Sequence, residues 1–159
     1  MKRTYGGIKM FSGNYSFTLD GKSRISIPSG YREYLLSNYN NRLTLTKHLM
    51  SATILIWPSS SYEKFLERFD ELPAWDEGVE KLKRFFISWA FHQEFDNNGR
   101  LFIPTPLREY AGLNRDVVVA GAGKVIQLWS KDRWDDQNLA DSANPSELKD
   151  LARRLNIRM

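Results

Sequence analysis

Two aspartates and two arginines stand at matching places in this chain of 159 residues: Asp20-Gly21-Lys22-Ser23-Arg24 and, 76 residues on, Asp96-Asn97-Asn98-Gly99-Arg100. An acid and a guanidinium four residues apart support three chemistries. Across a tight turn the carboxylate can pair with its own arginine and brace the loop with no ligand at all. The same loop can hold Lys22 and Ser23 to phosphates and Arg24 to the O6 and N7 edge of guanine, as a basic turn does on a duplex. Asp20 and Asp96, one from each copy, can also share a proton as paired hydrolytic carboxylates do. The third chemistry is disfavoured by the residues themselves. Each acid has an arginine to keep it ionised, and neither opens an Asp-Thr-Gly or Asp-Ser-Gly run.

Weighed on side-chain chemistry, Asp20 and Asp96 read as braces. The first loop, with Gly, Lys and Ser, suits nucleic acid better than the second, with Asn, Asn and Gly. Arg100 stays open between a DNA contact and a second brace. Other catalytic or ligand-binding constellations are missing. His48 and His92 are the only histidines and have no metal-like neighbours in sequence, and there is no cysteine for a thiolate zinc site, a disulfide or a thiol nucleophile. Gly121-Ala122-Gly123-Lys124 lacks the upstream glycine and the following Ser or Thr of a phosphate-binding loop. No cofactor, metal or enzymatic activity is therefore expected.

The acid-arginine pairs lie inside a longer repeat. Ile25-Ser26-Ile27-Pro28 falls on Leu101-Phe102-Ile103-Pro104, and Arg32-Glu33-Tyr34 on Arg108-Glu109-Tyr110. Ile54-Leu55-Ile56-Trp57 then matches Ile126-Gln127-Leu128-Trp129 and Tyr62 matches Trp134, at an offset shortened from 76 to 72. The first copy thus holds four extra residues. In each copy an alternating strand pair flanks the turn, and Ser29 and Thr105 are placed as caps of short helices, the second ending at Gly112. Strands are expected again at Leu43–Leu45, Thr53–Trp57, Val117–Ala120 and Val125–Trp129. Between the copies, Tyr62, Phe65, Leu66 and Phe69 after a capping box of Ser60 with Glu63, and then Val79, Leu82, Phe86 and Trp89, follow helical spacing. The five tryptophans read as core residues; Arg32-Glu33 and Arg108-Glu109 read as surface pairs. The resulting division is an extension at 1–9, a first repeat at 10–58, connecting helices at 59–90, a second repeat at 91–134 and a polar tail at 135–159, expected to fray or to dock on a neighbour.

Charge singles out the first repeat. The net charge of +4 hides a segment 1–58 with eight basic and two acidic residues, followed by 59–95 with five basic against eight acidic. A polyanion would be drawn to the front end, although a solvated charged face accounts for the same numbers. No apolar run approaches the ~20 residues that cross a bilayer, and the first residues lack the apolar stretch of a secretory signal, so a cytoplasmic protein is expected.

The doubled Asp-x-x-x-Arg with its Ile-Pro continuations, the opening Met10-Phe11-Ser12-Gly13, the paired tryptophans and the connecting helices resemble the MraZ family of the AbrB-like swapped-hairpin superfamily. The resemblance covers nearly the whole chain. It implies an α+β, mainly β fold in which two AbrB-like repeats interlock with pseudo-twofold symmetry into a double-psi-like barrel. It also implies ring-shaped homo-oligomers, nucleoid association, and binding of promoter DNA at short direct repeats upstream of a division and cell wall gene cluster, usually as a repressor. On that resemblance Lys22 and Arg24 touch DNA. Family members commonly begin near Met10 and carry a basic residue where this chain has Ser12, so Lys2, Arg3 and Lys9 are candidates to replace that charge. A protein-interaction module of antitoxin type, whose basic loop meets an acidic partner, is the alternative reading.

Overall fold

The computed structural model describes residues 10–158; the extension with Lys2, Arg3 and Lys9 lies outside them. Eight strands and six helices follow one another as β1 (Asn14–Thr18), β2 (Arg24–Ser26), α1 (Ser29–Tyr39), β3 (Leu43–Lys47), β4 (Ile54–Pro58), α2 (Ser59–Asp70), α3 (Glu77–Lys83), β5 (Phe91–Gln93), β6 (Arg100–Phe102), α4 (Thr105–Ala111), β7 (Asp116–Gly121), β8 (Ile126–Ser130), α5 (Lys131–Ser142) and α6 (Pro145–Arg154). A π-helical turn, Arg84–Ser88, continues α3. The strands form a six-stranded antiparallel sheet in the order β1-β7-β8-β4-β3-β5 and a separate two-stranded ribbon, β2-β6.

The order is a palindrome of the two repeats. Hairpins β3-β4 and β7-β8 meet through β4 and β8 at its centre, and each outer strand comes from the other repeat: β1 on β7, β5 on β3. Registers agree, since Tyr15 faces Val119 where its counterpart Phe91 faces Leu45. The ribbon sits on the pseudo-twofold, with Ile25 opposite Leu101. This exchange follows from what a single repeat lacks. A lone hairpin with one short helix cannot cover its apolar face, and trading outer strands buries both faces in one core.

That core repeats residue for residue. Ile25, Ile27, Tyr31 and Leu35 match Leu101, Ile103, Leu107 and Ala111; Leu43, Leu45, Ile54 and Ile56 match Val117, Val119, Ile126 and Leu128, and all belong to one buried cluster. Helices contain more residues than strands, yet strands supply most of the buried apolar side chains, so the fold is α+β around a β core. The sheet does not close by hydrogen bonds, because β1 and β5 are its edges among the described residues. In place of the expected barrel the structure has an open antiparallel sheet, covered by the ribbon and helices α1 and α4, whose side chains belong to the same core. Of the four extra residues in the first repeat, register places two between Tyr34 and Leu43 and two in the β3-β4 turn.

On the other side of the sheet Trp57 and Trp129 pack as expected, whereas Trp75 and Trp89 are exposed, at 97% and 42%, so the core role expected of all five tryptophans does not extend to these two, which lie in the connecting segment and not on the sheet. Trp57 stacks on Phe65 of α2 at 5.1 Å and donates through Nε1 to Thr46 Oγ1 at 2.9 Å, while Trp129 meets Trp134 of α5 edge to face at 5.6 Å. Helix starts differ from expectation. Pro28, Pro58 and Pro104 occupy the cap positions of α1, α2 and α4, so Ser29, Ser60 and Thr105 lie within the first turns and make no cap bond. Gly112 ends α4 at φ +60 as expected. The polar tail does not fray in this structure: it forms α5 and α6, capped by Ser130 accepting from Arg133 N–H and Asn144 accepting from Glu147 N–H.

The longer β3-β4 turn is organised by His48, whose Nδ1 accepts from the amides of Met50 at 3.0 Å and Ser51 at 3.1 Å. Tyr110 of the other repeat donates its hydroxyl to the His48 carbonyl at 2.6 Å. Burial lowers the His48 pKa below its ordinary 6.5, as does nothing else resolved around it. A histidine with a depressed folded pKa contributes stability that is present above 6.5 and is lost as pH falls toward the folded value. Thermal unfolding should therefore move to lower temperature when pH is taken from about 7.5 to about 5.5, and His48→Asn, which keeps an acceptor but does not titrate, should show a smaller shift than wild type.

Candidate nucleic-acid interface

Both Asp-x-x-x-Arg motifs are the turns that join an outer strand to the ribbon, so the swap brings them together beside β2 and β6. Their backbones are built alike. Asp20 N–H donates to the Arg24 carbonyl and Ser23 N–H to the Asp20 carbonyl; Asp96 N–H donates to the Arg100 carbonyl and Gly99 N–H to the Asp96 carbonyl. Each aspartate then accepts two amides at Oδ1, Asp20 from Lys22 at 2.8 Å and Arg24 at 2.9 Å, and Asp96 from Asn98 at 2.9 Å and Arg100 at 3.0 Å. The turns also lock each other, because Ile103 N–H donates to the Ser23 carbonyl and Ile27 N–H to the Gly99 carbonyl.

The side chains break the symmetry. Arg24 Nε donates to Asp20 Oδ2 at 2.8 Å, while a terminal nitrogen of the same guanidinium lies 3.7 Å from Asp96 Oδ2. Arg100 Nε stands 3.6 Å from that oxygen, with no hydrogen-bond partner. Arg24 is thus the bridge between the two turns, three-quarters covered, and one terminal amino group of its fork is not engaged by either carboxylate. Backbone amides, that of Arg24 first, hold the Asp20 carboxyl below the usual carboxylate range; the amide of Arg100 leads the same effect on Asp96. Two acids both pushed down, with a guanidinium between them, do not make a shared-proton pair, in which one would be pushed up. Each aspartate thus holds its own turn's amides and faces its own arginine, and Arg24 adds a cross-turn arm to Asp96 that spacing along one motif cannot reveal.

Lys22 is at the exposed tip of the first turn, and Ser23 beside it adopts φ +59. Its counterpart Gly99 has φ +74 and lies under the Arg32 side chain, where a Cβ would overlap the guanidinium. Serine in the left-handed region is strained by about 1 kcal/mol relative to glycine. Ser23→Gly should therefore raise the unfolding free energy by up to about 1 kcal/mol, read from denaturant melts, while leaving the turn's hydrogen bonds in place.

Around the turns, Leu19 N–H donates to the Arg115 carbonyl at 2.8 Å, which sets exposed Arg115 of the second repeat next to the first turn. Beside the second turn the equivalent position is Asn41, whose side chain pairs with both backbone groups of Phe95. Arg115 was not among the residues singled out from sequence, since only strand exchange brings its backbone beside Leu19 at the start of the first turn. Arg108 donates to the Ile103 carbonyl at 3.0 Å and to Thr105, so the surface pair expected with Glu109 is not formed. Among the described residues no group of three or more metal-ligating side chains occurs, and no helix is long and apolar enough to cross a membrane.

The fold and the twinned turns define a duplicated α+β protein, in which two copies of a strand-turn-strand-helix-hairpin unit exchange outer strands around one core. Comparison with known proteins makes the class particular. A family profile described as "MraZ protein, putative antitoxin-like" matches residues 10–85 and again 86–156, the two matches meeting in the π-helical turn. A Saccharophagus degradans protein named "Transcriptional regulator MraZ" is 32% identical over 139 residues, 87% of this chain and 94% of its own. Relatives with the same name from Oenococcus oeni and Leuconostoc mesenteroides are 34% and 38% identical, covering 85% and 79% of this chain and 91% and 84% of theirs. The chain belongs to the MraZ family.

Proposed function

We propose that this protein is a sequence-specific DNA-binding transcriptional regulator, which binds short direct repeats in promoter DNA upstream of a division and cell wall gene cluster and represses it. The observation that carries the reading is the first turn: an exposed Lys22 and a rigidly held Arg24 on a scaffold that fixes both, at the basic end of the chain. Lys22 and Ser23 meet phosphates, Arg24 offers guanine the terminal amino group not engaged by carboxylate, and Arg100 lies against the backbone from the second turn. Asp20 and Asp96 fix the two arginines and touch no DNA. The name carried by the relatives supports regulation of transcription. Several copies in a ring would each engage one repeat, so that weak single contacts add where repeat spacing matches subunit spacing. The protein acts in the cytoplasm, on the nucleoid.

Titrating the full chain against its own upstream region by mobility shift, at low and high salt, tests this. Binding that prefers that region over unrelated DNA and weakens steeply with salt is expected. The antitoxin-like description of the family favours a second reading, an acidic protein partner in place of DNA. Failure to bind any DNA at low salt, with a stoichiometric protein partner captured instead, would establish it.

A further inference from the structure

The ribbon has two faces. Ile25 and Leu101, opposite each other at its middle, are fully buried in the core, so by strand alternation Arg24, Ser26, Arg100 and Phe102 point the other way, off the protein. Register sets these four in two cross-strand pairs, Arg24 with Phe102 and Ser26 with Arg100. Two arginines and a serine are what a basic, solvated surface calls for; a phenylalanine is not. The Phe102 side chain is 44% exposed and is a member of neither buried cluster. Its twin position in the first repeat holds Ser26, so the fold requires no ring there.

A lone apolar side chain on a surface ordinarily needs no partner. Phe102 is set apart by its company. Directly opposed strand residues hold their Cβ atoms about 5 Å apart, so the ring stands beside the Arg24 side chain, with Lys22 at the tip of the same turn and Arg100 two residues back on the same strand. The matching surface is anionic around a small apolar spot. The major groove of a duplex has that form, with phosphates along its rim and the 5-methyl group of thymine projecting from its floor, and it is wide enough to admit a two-stranded ribbon.

We propose that Phe102 is a specificity-determining residue that meets the 5-methyl group of a thymine, on the base pair next to the guanine offered to Arg24. This inference rests on the DNA-binding reading above and adds to it a base that is read without hydrogen bonds. Strand exchange gives the arrangement its sense, because it sets the polar reader of one repeat and the apolar reader of the other side by side on one ribbon.

Mobility shift of the full chain on its own upstream region tests it, with the duplex made once with thymidine and once with deoxyuridine, which pairs alike but lacks the methyl group. Wild type should bind the deoxyuridine duplex about fourfold more weakly for each engaged subunit, the transfer value of one such group. Phe102→Ser, which installs the residue of the twin position, should bind the thymidine duplex more weakly than wild type does and should not distinguish the two duplexes. Phe102→Leu keeps apolar surface and should keep most of the preference. The position is exposed, and far-ultraviolet dichroism checks that folding is retained. Wild type that binds both duplexes equally overturns the proposal. So does a preference that persists in Phe102→Ser, which would place its origin in another residue or in the stiffness of the duplex. Wild type that binds neither duplex would overturn the DNA-binding reading as well.

Discussion

Gly121→Ala should lower the unfolding temperature by roughly 10 °C, the equivalent of about 3 kcal/mol for a chain of this size. A Cβ at this position would overlap the backbone of Phe11 and Ser12, which cannot swing aside as a long side chain does. The segment it would displace is tied down on every side. Phe11 and Gly123 exchange backbone hydrogen bonds at 2.7 and 3.0 Å, and Gly121 N–H donates to the Gly13 carbonyl at 2.8 Å. The Tyr31 hydroxyl donates to the carbonyls of Ser12 and Gly13, and its pKa is pushed up to about 12, chiefly by burial. Moving this segment also pulls Phe11 from the core, where it is buried against Tyr31 and Tyr34. Gly123 provides the control. It has φ +82 but open space around its Cβ position, so Gly123→Ala carries only backbone strain and should lose about 1 kcal/mol. Equal losses at the two positions, measured by denaturant melts, would mean that the close approach at Gly121 is not what holds β1 to β7.

Arg24→Ala should weaken operator binding by about ten- to a hundredfold for each engaged subunit, the range of one hydrogen bond from a charged donor. The substitution also removes the cation between Asp20 and Asp96, leaving two carboxylates that repel each other. Arg24→Lys separates the two effects. Lysine keeps the charge between the acids but has no planar fork, so salt-dependent binding to any duplex should persist while preference for the operator falls. Operator preference retained in Arg24→Lys, measured by competition with unrelated DNA, would reassign Arg24 to bracing alone.

Local features of this fold are legible in the chain because they depend on neighbours in sequence. The turn at Asp20-Gly21, the alternating strands, the glycine that ends α4 and the matching tryptophans were all readable that way. What depends on distant partners was not. Nothing near Tyr15 or Phe91 specifies that each pairs with the other repeat, and that exchange is what carries Arg24 to Asp96 and Arg115 to the first turn. The helix starts misled for a different reason. Serine and threonine beside a helix suggest caps, but proline at 28, 58 and 104 takes that position, because its fixed φ suits the extended cap residue and the amide it lacks is not missed there. The tail reads as polar because no residue of α5 or α6 is fully buried within the chain, and the side chain that α5 packs on the sheet, Trp134, lies before the tail begins.

The claim that the first turn reads DNA while the second is chiefly architectural, with Arg100 alone reaching the DNA backbone, meets its most direct test in an exchange of turns. Gly21, Lys22 and Ser23 are replaced by the Asn, Asn and Gly of the second turn, with Asp20 and Arg24 kept. Since both turns use the same backbone hydrogen bonds, and glycine at 23 relieves the strain of serine there, the unfolding temperature should be no lower than that of wild type, the assembly mass should be unchanged, and affinity for the protein's own upstream region should fall at least tenfold. An exchanged chain that folds, assembles and binds that region as tightly as wild type would contradict the account.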